Sequence, residues 1–124
     1  MFRPARELAA SVRSGEVSAR ELVESAYEAI ERLNGDLNAF VTLCEERALA
    51  EADQVSAGDE RPLAGVPIAI KDLVAITEGV RTTFGSAAME DWVPDHDSAL
   101  VRRLRGPARS SSARRTCPSS GSCR

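Results

Sequence analysis

The stretch from Gly65 to Lys71 leaves this chain little choice of environment. Val66, Pro67, Ile68, Ala69 and Ile70 follow one another without a polar break, and the run ends on Lys71, the only lysine beside fifteen arginines. Such a run, with β-branched residues and no alternation, is the pattern of a strand buried on both faces. It predicts a strand over residues 66–70, whose backbone needs paired neighbours and whose faces need cover. Lysine is almost never buried without a partner. Two readings of Lys71 follow. Held at a buried strand end, its charged form is disfavoured by desolvation and the neutral amine can act as a general base. Alternatively, the side chain snorkels to water from an ordinary strand end.

Upstream the pattern is helical. Leu8 and Val12, four apart behind Pro4, predict a short helix over 5–13 that Gly15 ends. Ser18-Ala-Arg-Glu21 is a capping box, in which serine and glutamate each satisfy an orphan backbone group. Leu22, Val23, Ala26, Ile30 and Leu33 recur on one face and predict a helix over 18–33, stopped by Asn34-Gly35. Residues 37–43 read as a short extended or buried piece and 45–55 as a third helix, with a loop from Gly58. Residues 77–86 are turn-rich, and 98–105 read as a helix through Leu100, Val101 and Leu104. Helices ahead of a continuous apolar strand indicate an α/β domain entered from a helical N-terminal arm.

Charge divides the chain. Residues 1–101 carry 9 basic and 19 acidic side chains, a net of −10, whereas 102–124 carry seven arginines and no acid. Residues 106–124 hold six serines and four arginines with no Leu, Ile, Val, Met or aromatic residue. Such a segment cannot bury enough apolar surface to offset its ordering entropy and is expected to be disordered. The expected organisation is one α/β unit over 1–105 and a tail over 106–124.

Other chemistries find little support. No run of about 18 apolar residues is available for a membrane helix. The segment from Met1 to Glu7 lacks the apolar stretch of a secretory signal. Cys44, Cys117 and Cys123 have no metal-ligand spacing and fit a reducing compartment, so a cytoplasmic protein is expected. His96, between Asp95 and Asp97, lacks convergent ligands and reads as a solvated loop residue, so no metal site is expected. Glu45, Glu46 and Glu51 read as a wet helix face. Asp72 points away from Lys71 if the strand continues, and reads as a turn residue or a residue supporting the site from behind rather than as a catalytic acid. Arg102, Arg103, Arg105 and Arg109 have no interleaved aromatic residue, so nucleic-acid binding is not expected from them.

Three blocks together carry a resemblance. Residues 62–72 read P-L-A-G-V-P-I-A-I-K-D, residues 82–86 T-T-F-G-S, and residues 95–104 D-H-D-S-A-L-V-R-R-L. This pattern, with Leu37-Asn-Ala-Phe40 in the helical arm, resembles the amidase signature family over residues 5–105. Leu73 stands where most members have asparagine. The resemblance implies a mixed-sheet α/β domain, of which this chain would hold the incomplete N-terminal part. It implies a Ser-cisSer-Lys triad in which Lys71 deprotonates a bridging serine that activates the nucleophilic serine; serine is a poor nucleophile until a positioned base takes its proton. No cofactor is implied. The substrate would be a small carboxamide or aryl-amide. A tRNA-bound acid would enter only if the parent protein is the A subunit of a glutamyl-tRNA amidotransferase, where partner subunits are obligatory.

In that family both triad serines lie in a later glycine-serine-rich stretch, which this chain lacks. Ser110-Ser111-Ser112 and Ser119-Ser120-Gly121-Ser122 are not flanked by paired glycines, and nothing around them builds an oxyanion site. They read as solvated tail serines. The tail has a sharper explanation. Written as codons and read one base earlier, serine as TCG preceded by G becomes valine, so Ser110-Ser111-Ser112 becomes V-V-V. Residues 107–121 then become A-G-A-V-V-V-G-K-T-N-L-P-E-F-G, similar to the family's next strand and turn. The tail is expected to be a frameshifted continuation, which makes the chain either a truncated product or a sequencing artefact, and the chain by itself is expected to be catalytically inactive.

Overall fold

A computed structural model of the chain describes residues 3–105. The expected 106–124 tail lies outside the described residues.

Helix α1 spans Ala5–Ser14. Gly15 ends it in the left-handed region at φ 76°, a conformation glycine adopts without a Cβ penalty. The Gly15 N–H donates to Val12 O at 3.1 Å and the Glu16 N–H to Ser11 O at 2.9 Å, the two bonds of a Schellman stop. The buried Ser11 hydroxyl donates to Glu16 Oε2 at 2.9 Å and accepts from Arg3 at 2.8 Å.

Helix α2 spans Ala19–Leu37 and begins as its sequence demands. Ser18 Oγ accepts from the Glu21 N–H at 3.1 Å, and the Ser18 N–H donates to Glu21 Oε2 at 2.8 Å. A cap of this kind contributes about 1 kcal/mol. The far end departs from expectation. Asn34-Gly35 does not stop the helix; Asn38 does, at φ 47°. Asn34 acts from inside the last turn: its Oδ1 accepts from the Ala39 and Phe40 N–H groups at 2.9 and 2.8 Å, and its Nδ2 donates to Phe40 O at 2.9 Å. An asparagine that clasps the departing chain has no need to take the αL position itself.

Helix α3, Glu45–Ala52, is shorter than the expected 45–55. Helix α4, Ala99–Leu104, is capped by Ser98, whose Oγ accepts from the Val101 N–H at 3.4 Å. Between them the only further helical turn among the described residues is a 3-10 turn, Ala87–Met89. The core sits where α1, α2 and α3 meet: Val12, Ala19, Val23 and Ala52 are buried, with Leu22, Tyr27, Leu49 and Val55 packed against them. The four buried side chains are small, and among the described residues no large side chain is fully enclosed.

The strand expected over 66–70 is not formed, and no β-strand occurs among the described residues. Val66 is half-buried, residues 67–70 are exposed, and no described strand lies alongside to pair their backbone. The physical reason is that an apolar run specifies burial only where neighbours supply it; helices close their own hydrogen bonds, strands do not.

Gly65 ties this run to the helices. Its φ is +74°, and a Cβ there would lie 2.8 Å from Ala19 Cβ and 2.9 Å from Val12 Cγ1. Both the left-handed backbone and the close approach require glycine. Gly65→Ala is therefore expected to weaken the α1–α2 packing by roughly 1–3 kcal/mol. The check is a lowered urea midpoint of the helical far-UV signal; an unchanged midpoint would mean the segment lifts off the helices without cost.

Candidate active site

Lys71 lies at the end of the unpaired run and is exposed, which fits the reading of a side chain that reaches water and not that of a lysine held in an interior. Among the described residues its ammonium makes no hydrogen bond or ion pair. The chain turns just after it: the Leu73 N–H donates to Lys71 O at 2.8 Å and the Val74 N–H reaches the same oxygen at 3.5 Å. Leu73 and Val74 then present half or more of their surface to water, 51% and 70%.

Asp72 is the ordered member of the pair. Its Oδ1 accepts from the Thr83 N–H at 2.8 Å and the Phe84 N–H at 3.2 Å, and its Oδ2 accepts from the Thr83 hydroxyl at 2.7 Å. The Thr83 hydroxyl foremost holds its carboxyl below the ordinary value of 3.8. Because the folded chain lowers this pKa, the tie is complete above the ordinary value and is lost as pH falls through the lowered one. A carboxylate with three donors and a lowered pKa is a structural anchor, in keeping with its reading as a turn residue.

The loop that Asp72 grips is braced from behind. Phe84 and Gly85 are both left-handed, at φ 52° and 70°, an unusual conformation for an aromatic residue. The Phe84 ring stacks on Trp92 with centroids 5.6 Å apart, and the Thr82 N–H donates to Trp92 O at 3.0 Å. The Gly79 N–H to Pro94 O bond, at 2.9 Å, and the Ser98 N–H to Ile76 O bond, at 3.0 Å, continue this doubling back. Asp97 completes it, accepting from the Glu78 N–H at 2.8 Å and from Arg105 at 2.7 Å.

The remaining candidates separate clearly. Arg105 also reaches Glu51 at 3.1 Å, and Arg102 donates to Asp97 O at 2.7 Å, so these arginines serve the fold. Glu51 is a salt-bridge partner of both Arg47 and Arg105, whereas Glu45 and Glu46 are exposed. His96 is exposed and paired with Asp95 through Nδ1 at 2.8 Å. Among the described residues no three His, Cys, Asp or Glu side chains converge to hold a metal ion. No described helix is long and apolar enough to cross a membrane. Cys44 is a half-buried free thiol. Arg109, Cys117, Cys123 and the tail serines lie outside the described residues. Two features escaped sequence reasoning: the Thr83–Phe84 donors to Asp72, and the close approach at Gly65. Asp and Thr flanking a turn-rich stretch was the only signal for the first.

Comparison with known proteins places this chain in a family. The amidase family profile matches residues 21–108, which take in both Gly65–Asp72 and the loop that Asp72 grips. The A subunit of glutamyl-tRNA(Gln) amidotransferase from Chromohalobacter salexigens is 46% identical over 103 residues, 80% of this chain and 21% of that protein. The protein of the same name from Lysinibacillus sphaericus is 41% identical over 106 residues, 83% of this chain and 22% of that one. A solved structure from work on a vestigial protein complex and the origins of an s-triazine catabolic enzyme superposes with a TM-score of 0.73 at 38% identity. It covers 83% of this chain and 24% of that chain. The chain thus spans about a fifth of the length of the curated relatives it matches. With most of its residues inside the matched region, this chain belongs to the amidase family.

Proposed function

We propose that this chain supplies the N-terminal part of an enzyme that hydrolyses a carboxamide C–N bond, with Lys71 as its general base. The observation that carries the reading is the place of the chain's single lysine, at the end of Gly-Val-Pro-Ile-Ala-Ile inside the region matched by the amidase family. In this reading Lys71 takes the proton of a bridging serine, which activates a nucleophilic serine; both serines come from sequence beyond this chain. The alternative frame of residues 107–121 belongs to the same proposal. It would restore V-V-V, an apolar strand able to pair with residues 66–70 and complete the start of a mixed sheet. The working enzyme is then the protein read through in that frame, cytoplasmic and without a cofactor.

A second reading is favoured by the identity to the A subunits of amidotransferases. There the amide is a source of ammonia that is passed to a tRNA-bound acid, and partner subunits are needed.

Amide turnover tests both, read as ammonia release from simple amides and as glutamate formation from glutamine. The 124-residue chain is expected to turn over neither a panel of simple amides nor glutamine, because it carries at most one triad member. The read-through protein should act on simple amides if it is an amidase. It should act on glutamine, and only with its partners and charged tRNA, if it belongs to an amidotransferase. Turnover by the 124-residue chain that disappears on Lys71→Ala would overturn the proposal that the nucleophile lies elsewhere.

A further inference from the structure

We infer that Asp72 is the positioning residue of Lys71, its carboxylate clasping the turn that carries the lysine onto the 82–86 loop. The inference deepens the reading of Lys71 as a base and rests on it.

The geometry is asymmetric in an informative way. Lys71 has no strand ladder to direct it among the described residues, and its side chain is exposed. The residue bonded to it carries three hydrogen bonds on one carboxylate, all to partners eleven or twelve residues away. Consecutive Cα atoms are held about 3.8 Å apart, so pinning Asp72 confines the Lys71 backbone to a short arc. The Leu73 N–H closing on Lys71 O narrows that arc from the other side. Hydrogen bonds to an ionised carboxylate are shorter and stronger than neutral ones, which suits a clasp that must hold direction.

The receiving loop is fit to serve as a fixed point. Its left-handed Phe84 is held by the Asp72 bond on one side and by the Trp92 ring on the other. Thr83 Oγ1 also accepts from the Gly85 N–H at 3.2 Å, so one side chain joins the carboxylate to the turn. A base positioned within tenths of an ångström depends on such supporting bonds as much as on its own chemistry. Asp72 itself is no candidate for a catalytic acid, since three donors favour its ionised form.

Amide hydrogen exchange on the 124-residue chain reads the clasp without any activity. Asp72→Ala is expected to speed exchange at Thr83, Phe84 and Leu73 by roughly ten- to a hundred-fold, while Val23 in α2 keeps its protection. Thr83→Val keeps the carboxylate and both backbone donors. It should speed the same three amides by a smaller factor, and it decides the matter if Asp72→Ala unfolds the chain. Faster exchange at Thr83 and Phe84 with Leu73 unmoved overturns the inference, because the carboxylate then orders the loop and not the lysine's turn.

Turnover supplies the functional arm. In the read-through protein, Asp72→Ala is expected to lower kcat by roughly ten- to a hundred-fold with KM within about two-fold. Asp72→Asn, which keeps an acceptor for the backbone donors, should recover part of the loss. An unchanged kcat, or a loss confined to KM, overturns the positioning role. Lys71→Ala in the same protein keeps the two claims apart. If Lys71→Ala removes turnover and Asp72→Ala does not, only the positioning role fails. If Lys71→Ala leaves turnover intact, the base assignment fails first.

Discussion

Lys71→Ala in the read-through protein is expected to lower amide turnover by roughly 10²–10⁴-fold, the usual worth of a positioned general base. The loss should fall on kcat, because an alanine leaves the amide's binding surface intact while removing the proton acceptor. Lys71→Arg should fare no better. A guanidinium stays charged throughout the working pH range and cannot take the serine's proton. Ammonia release from a responsive amide, followed at saturating substrate, gives the measurement. Turnover within a few-fold of the unsubstituted protein would sink the assignment of Lys71, whatever the family.

The second large effect is in the backbone of residues 66–70. In the 124-residue chain their amides are expected to exchange within about ten-fold of an unstructured peptide, since local opening costs almost nothing where no described strand pairs them. Over Ala19–Leu37 protection should be higher, because an α-helix bonds its interior N–H groups within itself and Val23 is buried. In the read-through protein the same 66–70 amides should gain protection of roughly a thousand-fold or more, as a strand paired on both sides opens only with much of the domain. The apolar surface is consistent with this. Ile68 and Ile70 stand 45% and 36% exposed, and Leu63, Leu73 and Val74 are exposed as well. Exposed apolar side chains favour association, so the exchange measurement is made on the monomer fraction. Strong protection over 66–70 in that monomer, with a cooperative melting transition, would show that the chain folds completely without added strands.

The helices were legible because their determinants are local. Ser18 and Glu21 cap α2 across three residues, Gly15 stops α1 within its own turn, and Ser98 starts α4. The extent of α2 was misjudged for the same reason: Asn34 carries a stop signal by type, yet its side chain was free to reach forward to residues 39 and 40. Lys71 stood out as a candidate from composition and motif alone, since a lone lysine closing an apolar run is conspicuous in any setting. What the sequence could not determine was whether that run becomes a strand. A strand's hydrogen bonds go to another segment, and no described segment supplies them. Tertiary structure also decided the partners of Asp72 and the fit of Gly65 against Val12 and Ala19. Those contacts join residues eleven to more than fifty positions apart, and no periodicity in the chain encodes which distant donor a carboxylate will meet.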